Sequence, residues 1–389
     1  MSNILIEPQP TDRPKRLRHT LILAVGTFAV GTDAFILAGF LPMLATELQV
    51  STATAGSAIT VFALAYALGA PLLATATAHV PRRALLVTAL LVLALANLAS
   101  ALAPTFALLL ATRIMAALGA AAFTPTAGAV AAALAPAEAR ARALAVVVGG
   151  STIATALGVP LGSTLEQWFG WRAALAGVAA LCALAAAGVA VRVPRLPGGP
   201  RVALCTRISV LRTPGVVRIL PLTVLGMGAA YVVYAYAVPT LEPLGADPAA
   251  TLCAYGIGAI AGNLCAGYAT DRWGPVRVLT VGYLSMAAAI ALLGALAATG
   301  IRAPSAVVAL AAVWGAASWC QTPAQQHRLI AAAPHESGLV VALNASCIYL
   351  GIGLGTATGG LALGHGAAAV LGTGSLAAVA AVLYLRLTA

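Results

Sequence analysis

The sequence predicts an all-α membrane protein with 12 transmembrane helices in two pseudo-symmetric six-helix bundles. Three observations carry this. Of the 389 residues, 61% are hydrophobic and only 8% are charged, at a mean hydropathy of +0.98. Ordinary soluble domains carry about 25% charged residues, so the charges here are too few to cover a water-facing surface. The apolar residues run unbroken, as over 84–103, without the period-2 alternation of an outer-membrane barrel strand. A span needs about 20 apolar residues, so twelve use roughly 240 and leave the remainder for connectors and tails. A single anchor on a soluble domain is excluded.

The elements follow in order. An N-terminal tail, 1–19, carries Arg13, Lys15, Arg16 and Arg18 ahead of an apolar run. That run is longer than the h-region of a cleaved leader and has no clear small-residue cleavage site, so it is expected to stay as the first span. A sliding window places the first-half spans at 20–44, 57–79, 84–103, 107–134, 144–166 and 171–192. The second-half spans are 215–239, 251–270, 277–298, 304–324, 338–360 and 367–387. Pro81, Pro104, Pro136, Pro194, Pro304 and Pro334 punctuate the intervals. The longest polar connector, 194–214, is rich in Pro, Gly and Arg and separates a first bundle, 20–193, from a second, 215–389. Six spans per half make internal duplication the natural reading.

Charge placement orients the chain. With the N-terminus inside, 18 of the 21 Lys and Arg residues fall on the cytoplasmic side and only Arg172 and Arg302 outside, with Arg113 within a span. This is a strong positive-inside pattern, and it places a multi-pass protein in the cell (inner or plasma) membrane with both termini cytoplasmic. The net charge of +11 does not mark a nucleic-acid surface, because the basic residues sit between apolar runs instead of forming a patch. The expected surroundings are the lipid bilayer and a small-molecule substrate, with the chain a monomer. The six cysteines, Cys182, Cys205, Cys253, Cys265, Cys320 and Cys347, are scattered singly and read as small buried hydrophobes, without disulfides or metal. His79, His327, His335 and His365 fall in connectors or at span ends.

Three motifs point to a family. The connector after the eighth span holds Gly267, Asp271, Arg272 and Gly274; its counterpart after the second span keeps His79, Arg82 and Arg83 but has Ala74, Ala78 and Pro81 in place of the glycines and the acid. The fourth span has Arg113 followed by Gly119. The fifth has Gly150, Gly158, Pro160 and Gly162, then Gly170, Trp171 and Arg172. Over nearly its whole length the chain resembles the major facilitator superfamily, in the drug/proton antiporter branch that also holds sugar-efflux and chloramphenicol-type exporters. The resemblance implies the major facilitator fold and alternating access, with a moving joint between span five and the stripe Gly351, Gly355 and Gly359 of span eleven. Independently of the family, glycines at such spacing line one helix face for close backbone approach, and Pro160 permits a kink.

Among the ten acids, Asp33 alone sits mid-span, with Ala29, Val30, Ile36, Leu37 and Phe40 as helical neighbours. An ionisable group at that depth costs several kcal/mol unless it pairs, faces a cavity or becomes neutral, so it is a functional candidate. Arg113 is the cation it could meet, either as a proton-coupling pair or as a static structural one. Substrate-binding candidates are Tyr231 and Tyr234, three apart on one face, with Asn263, Trp314, Gln321 and Asn344. An interfacial aromatic belt, which would also include Tyr236, is the competing reading of the tyrosines, and helix packing that of the amides and the tryptophan. No clustered Ser/His, paired Asp or HExxH pattern lies within the spans, so an enzyme is not expected. The expected function is proton-coupled efflux of small neutral or amphipathic molecules, foremost chloramphenicol-like drugs, with sugar or metabolite efflux as the alternative. No cofactor is expected beyond the proton as coupling ion.

Overall fold

A computed structural model describes residues 12–136, 139–199 and 204–388. The side chains of Asp12, Arg13, Lys15, Arg16, Glu138, Arg201 and Arg207 lie outside what is described.

Long helices follow the apolar runs in chain order. The first half has α1 (Asp12–Phe35), α2 (Thr52–Ala76), α3 (Arg82–Ala101), α4 (Phe106–Leu134), α5 (Arg140–Ile153) and α6 (Val159–Arg192). The second has α7 (Pro214–Tyr234), α8 (Pro248–Trp273), α9 (Pro275–Thr299), α10 (Pro304–Trp319), α11 (Ser337–Leu363) and α12 (Ala367–Thr388). Starts are set by local chemistry. Ser51 and Asp247 accept from the backbone N–H three residues on, at 3.0 and 2.7 Å, and Pro opens α7, α8, α9 and α10, where its missing N–H costs nothing.

Among the described residues, 11 helices are long and apolar enough to cross a membrane, and one of them, Arg142–Arg192, is 51 residues long. That helix holds two crossings, because Gly170 (φ +81) breaks it near its middle, so the chain crosses twelve times. The expected spans agree to within a few residues except at two places. The first starts earlier, at Asp12 within the expected tail, and ends earlier, in a 3₁₀ turn Ile36–Gly39 followed by a separate helix Leu41–Glu47 that starts on a Pro42 turn. The tenth runs further, through Cys320 into Gln321–Ala332, so His327 lies within a helix.

The halves repeat one another. In the first, α1 packs on α5 and α6, α3 on α4 and α6, and α2 on α4; in the second, α7 packs on α11 and α12, α9 on α10 and α12, and α8 on α10. Individual contacts recur at a constant shift along each helix: Gly158 on Thr32 and Gly162 on Ile36 correspond to Gly355 on Gly228 and Gly359 on Val232. The pair Thr27 and Val147 likewise corresponds to Thr223 and Asn344. Between halves, α2 packs on α11, and α8 on the segment joining α5 to α6.

The glycine stripe of span five therefore turns toward α1 of its own half, and Gly351, Gly355 and Gly359 toward α7. Contact with the other half falls on the opposite side, where Gly256 of α8 lies against the backbone of Thr155 and Ala156 with no room for a Cβ. That point is a π turn, Ala154–Gly158. Pro160 has no N–H to offer the carbonyl four residues back, and Val159 reaches to Ala154 instead, over five residues.

At the face where α1 begins and α12 ends, here the terminal face, the linker runs along the connector between α2 and α3. Gly199 N–H donates to the Ala78 carbonyl at 2.8 Å and Arg82 N–H to the Leu196 carbonyl at 3.0 Å. Gly198 lies on the His79 backbone too closely for any Cβ. The connector that lacks the expected acid is thus held by main-chain pairing. In the second-half connector, Asp271 and Arg272 are exposed and Gly267 has open space around it, while Gly274 takes φ +82 to end α8 and start α9.

At the opposite face, Glu47 accepts from Trp171 Nε1 and from Arg172, whose guanidinium also reaches the Ala103 carbonyl at 3.1 Å. Arg172 lies over the Trp171 ring at 4.3 Å. Positive φ at Gly170 turns these two side chains back onto the first half.

Candidate functional site

Asp33 sits two residues before the end of α1, where carbonyls run out of helical partners. Asp33 and Arg113 are the only buried charged side chains among the described residues, at 0% and 1% exposure. Arg113, about two turns into α4, donates to Asp33 Oδ1 through Nη1 at 2.9 Å and Nη2 at 2.8 Å, and Nη2 also reaches the Asp33 main-chain carbonyl at 3.3 Å. Nη1 further donates to Asn97 Oδ1 at 3.3 Å, and Asn97 Nδ2 is fixed on the Leu93 carbonyl at 3.0 Å. The guanidinium also lies 4.9 Å from the centre of the Phe62 ring. Both donated bonds fall on one carboxylate oxygen, and Asp33 Oδ2 is buried without a partner. The pair thus draws on α1, α2, α3 and α4. Asn97 and Phe62 had no signal in the sequence, since an amide and an aromatic within apolar helices look like packing.

Two aromatic bridges connect this centre to the second half. Phe62 lies 6.4 Å from Tyr349 of α11, and Tyr349 stacks on Tyr66 at 3.7 Å with an interplanar angle of 21°. Phe35, two residues beyond Asp33, meets Tyr231 at 5.6 Å, Tyr234 at 6.3 Å and Trp319 at 6.5 Å. Behind them, Tyr234 and Trp314 each lie 4.6 Å from Tyr255.

Tyr231, Tyr234 and Tyr236 are all buried, which overturns the interfacial-belt reading. Tyr231 and Tyr234 share a face as their spacing predicted, with centroids 5.1 Å apart. The hydroxyls of Tyr231 and Tyr234 and Trp314 Nε1 are buried without a hydrogen-bond partner, as is the Thr32 hydroxyl of α1, which lies against Gly158. A buried donor left unmet costs about 1–3 kcal/mol, so these groups are the polar atoms here that the protein itself leaves unpaired.

The remaining candidates lie elsewhere. Gln321 accepts from Tyr283 at 3.0 Å and donates to the Ser318 carbonyl at 2.8 Å. Asn344 accepts from Thr223 at 2.8 Å, and Gln325 donates to the same Thr223 at 3.2 Å. These bonds tie α7, the extension of α10 and α11 together. Asn263 is half-buried on α8 and joins neither group. All six cysteines are free, and the expectation that they are buried holds only for Cys182, while Cys205 and Cys265 are exposed.

Twelve crossings in two repeated halves, meeting across buried polar and aromatic side chains, define a membrane transporter. The family model described as Major Facilitator Superfamily matches residues 23–356. The chain belongs to that superfamily. It is similar to the inner membrane transport protein YdhP of Escherichia coli strain K12, with 32% identity over 351 residues and 89% of each chain covered. It is also similar to a chloramphenicol resistance protein of Streptomyces lividans, with 34% identity over 356 residues and 88% of each chain covered. A crystal structure of a D-xylose-proton symporter shares the fold at a TM-score of 0.75 and 18% identity, covering 94% of this chain and 97% of that one.

Proposed function

We propose that this transporter exports small neutral or amphipathic molecules, foremost chloramphenicol-like compounds, in exchange for protons by alternating access. It would work as a monomer in the inner membrane with both termini cytoplasmic. The observation that carries the reading is the Asp33–Arg113 pair, buried at the junction of four helices with one carboxylate oxygen unengaged. A proton on Oδ2 removes the charge that holds Arg113, and Phe35 and Phe62 are placed to pass the resulting movement to the second half.

The aromatic shell supports neutral cargo with hydrogen-bond acceptors, since it offers ring faces and the unmet Tyr231, Tyr234 and Trp314 donors. A sugar site would call on amides and carboxylates, and Gln321 and Gln325 are engaged with protein partners. The energy suffices. One proton moving inward releases about 2.3 kcal/mol per 100 mV and about 1.4 kcal/mol per pH unit; together these sustain a gradient of about 500-fold.

The test is Asp33→Asn in energised inverted vesicles. Asparagine keeps an acceptor for Arg113, so the protein is expected to fold and insert, while substrate-dependent proton flux and uphill export fall to background. Full uphill export by this variant would refute the proton role. Counterflow of labelled chloramphenicol against labelled pentose distinguishes the drug from the sugar reading.

A further inference from the structure

On the flank of the second half, away from the other bundle, α8, α9 and α10 enclose a groove of about 560 Å³. Its floor is shallow in side chains because α8 and α10 pack backbone on backbone, Gly262 lying against Ala316 with no room for a Cβ. Gly282 and Ser285 of α9 leave the other wall low, and the rest of the lining is almost wholly apolar. The surface on the same stretch of α8 carries Leu264 and Tyr268, 72% and 68% exposed. Within the lining itself Val281 of α9 and Val313 of α10 are 65% and 47% exposed, and exposed apolar side chains on the outer flank of spanning helices suit hydrocarbon, so the groove is read as open to lipid.

One end of the groove differs. Toward the terminal face it is lined by Trp273, 57% exposed, and by Arg277 at the start of α9. Arg277 is exposed and forms no ion pair or hydrogen bond among the described residues. A tryptophan at the end of a spanning helix marks headgroup level, and a basic residue between spanning helices at that level is where anionic headgroups are recognised.

We propose that this groove is a binding site for an anionic phospholipid, one acyl chain lying along α8 and α10 and the phosphate on Arg277. The chemistry of the two ends selects the occupant: an apolar furrow takes a hydrocarbon chain, and Arg277, the one charged residue of its lining, takes an anion. A second copy of the chain docked symmetrically would set Arg277 against Arg277, so charge disfavours that occupant. The site is independent of the Asp33 centre, and its success or failure leaves the transport reading untouched.

The test uses the full chain in mild detergent, titrated with phosphatidylglycerol or phosphatidylcholine while the unfolding temperature is followed. Phosphatidylglycerol is expected to half-saturate the stabilisation at a concentration roughly fivefold lower, the discrimination that one basic residue gives near a headgroup. Arg277→Gln should bring the two lipids together, and Ala269→Phe, which fills the groove, should abolish the response to both. Equal midpoints in the unmodified protein, or an unchanged preference in Arg277→Gln, overturn the proposal. Conversion of a dimer to a monomer by Ala269→Phe would assign the groove to a second copy instead, and displacement of phosphatidylglycerol by chloramphenicol would assign it to cargo. If Ala269→Phe does not fold, Arg277→Gln decides alone, because its guanidinium makes no contact that the fold uses.

Discussion

Arg113 is held by four different partners: a carboxylate oxygen, a main-chain carbonyl, the Asn97 amide and the Phe62 ring. Removing one partner of a buried ion pair costs about 3–5 kcal/mol, whereas replacing both ions can be close to neutral. Arg113→Ala is therefore expected to lose about 3–5 kcal/mol of stability in a detergent unfolding titration, and Asn97→Leu about 1–3 kcal/mol, because it leaves a guanidinium N–H unmet. The double variant Asp33→Asn with Arg113→Gln should regain much of the stability without regaining proton-driven transport; a cycle of the two single variants and the double variant measures the coupling. Asp33 was legible in the sequence because a lone acid among apolar residues has no ordinary explanation. Asn97 was not, since Leu, Ala and Ser surround it and only folding brings it to Arg113.

At the scale of the element, the turn between α5 and α6 shows what spacing reveals and what it hides. The glycines at 150, 158 and 162 predict close approach on one face, and α1 fills that face. The opposite side of the same turn meets Gly256, and nothing in the local pattern says that α8 lies there. Gly256→Leu should force α8 away from Ala156 and raise the labelling rate of a Thr155→Cys reporter by a membrane-impermeant maleimide; an unchanged rate would mean the seam opens elsewhere. The Glu47, Trp171 and Arg172 cluster sets two energies side by side. The Arg172–Glu47 pair is half-exposed, at 37% and 47%, and such pairs contribute about 0–1 kcal/mol. Trp171 is fully buried and donates to the same carboxylate, and because a hydrogen bond to a charged group contributes about 1.5–3 kcal/mol, Trp171→Phe, which removes it, should cost about that much. Unfolding measurements should therefore rank Trp171→Phe as clearly worse than Arg172→Gln.

Across the whole molecule, hydropathy and the arginines sufficed for twelve crossings and two halves, because a bilayer imposes length and polarity on every span. How the halves meet was not legible, since α2 with α11 and α5 with α8 are far apart in the chain. Their seam is closed at the face opposite the termini, where Gly360 lies beside Ala53 and Tyr236, and Tyr236 also covers Gly56. In a background lacking the exposed Cys205 and Cys265, the pair Ala53→Cys and Gly360→Cys should crosslink in membranes and stop transport until reduced; crosslinking with undiminished transport would show that this seam need not part. The strap that lays Leu196 and Gly199 on the α2–α3 connector bears on how the protein can be divided. Because its bonds are main-chain to main-chain, they survive almost any side-chain change except at Gly198, and they belong with the first bundle although they follow its last helix. A split gene cut directly after Val193 would strip the first fragment of its own clasp, whereas a cut beyond Gly199 leaves each fragment with the surfaces it needs, and co-expressed fragments should reassemble only in the second design.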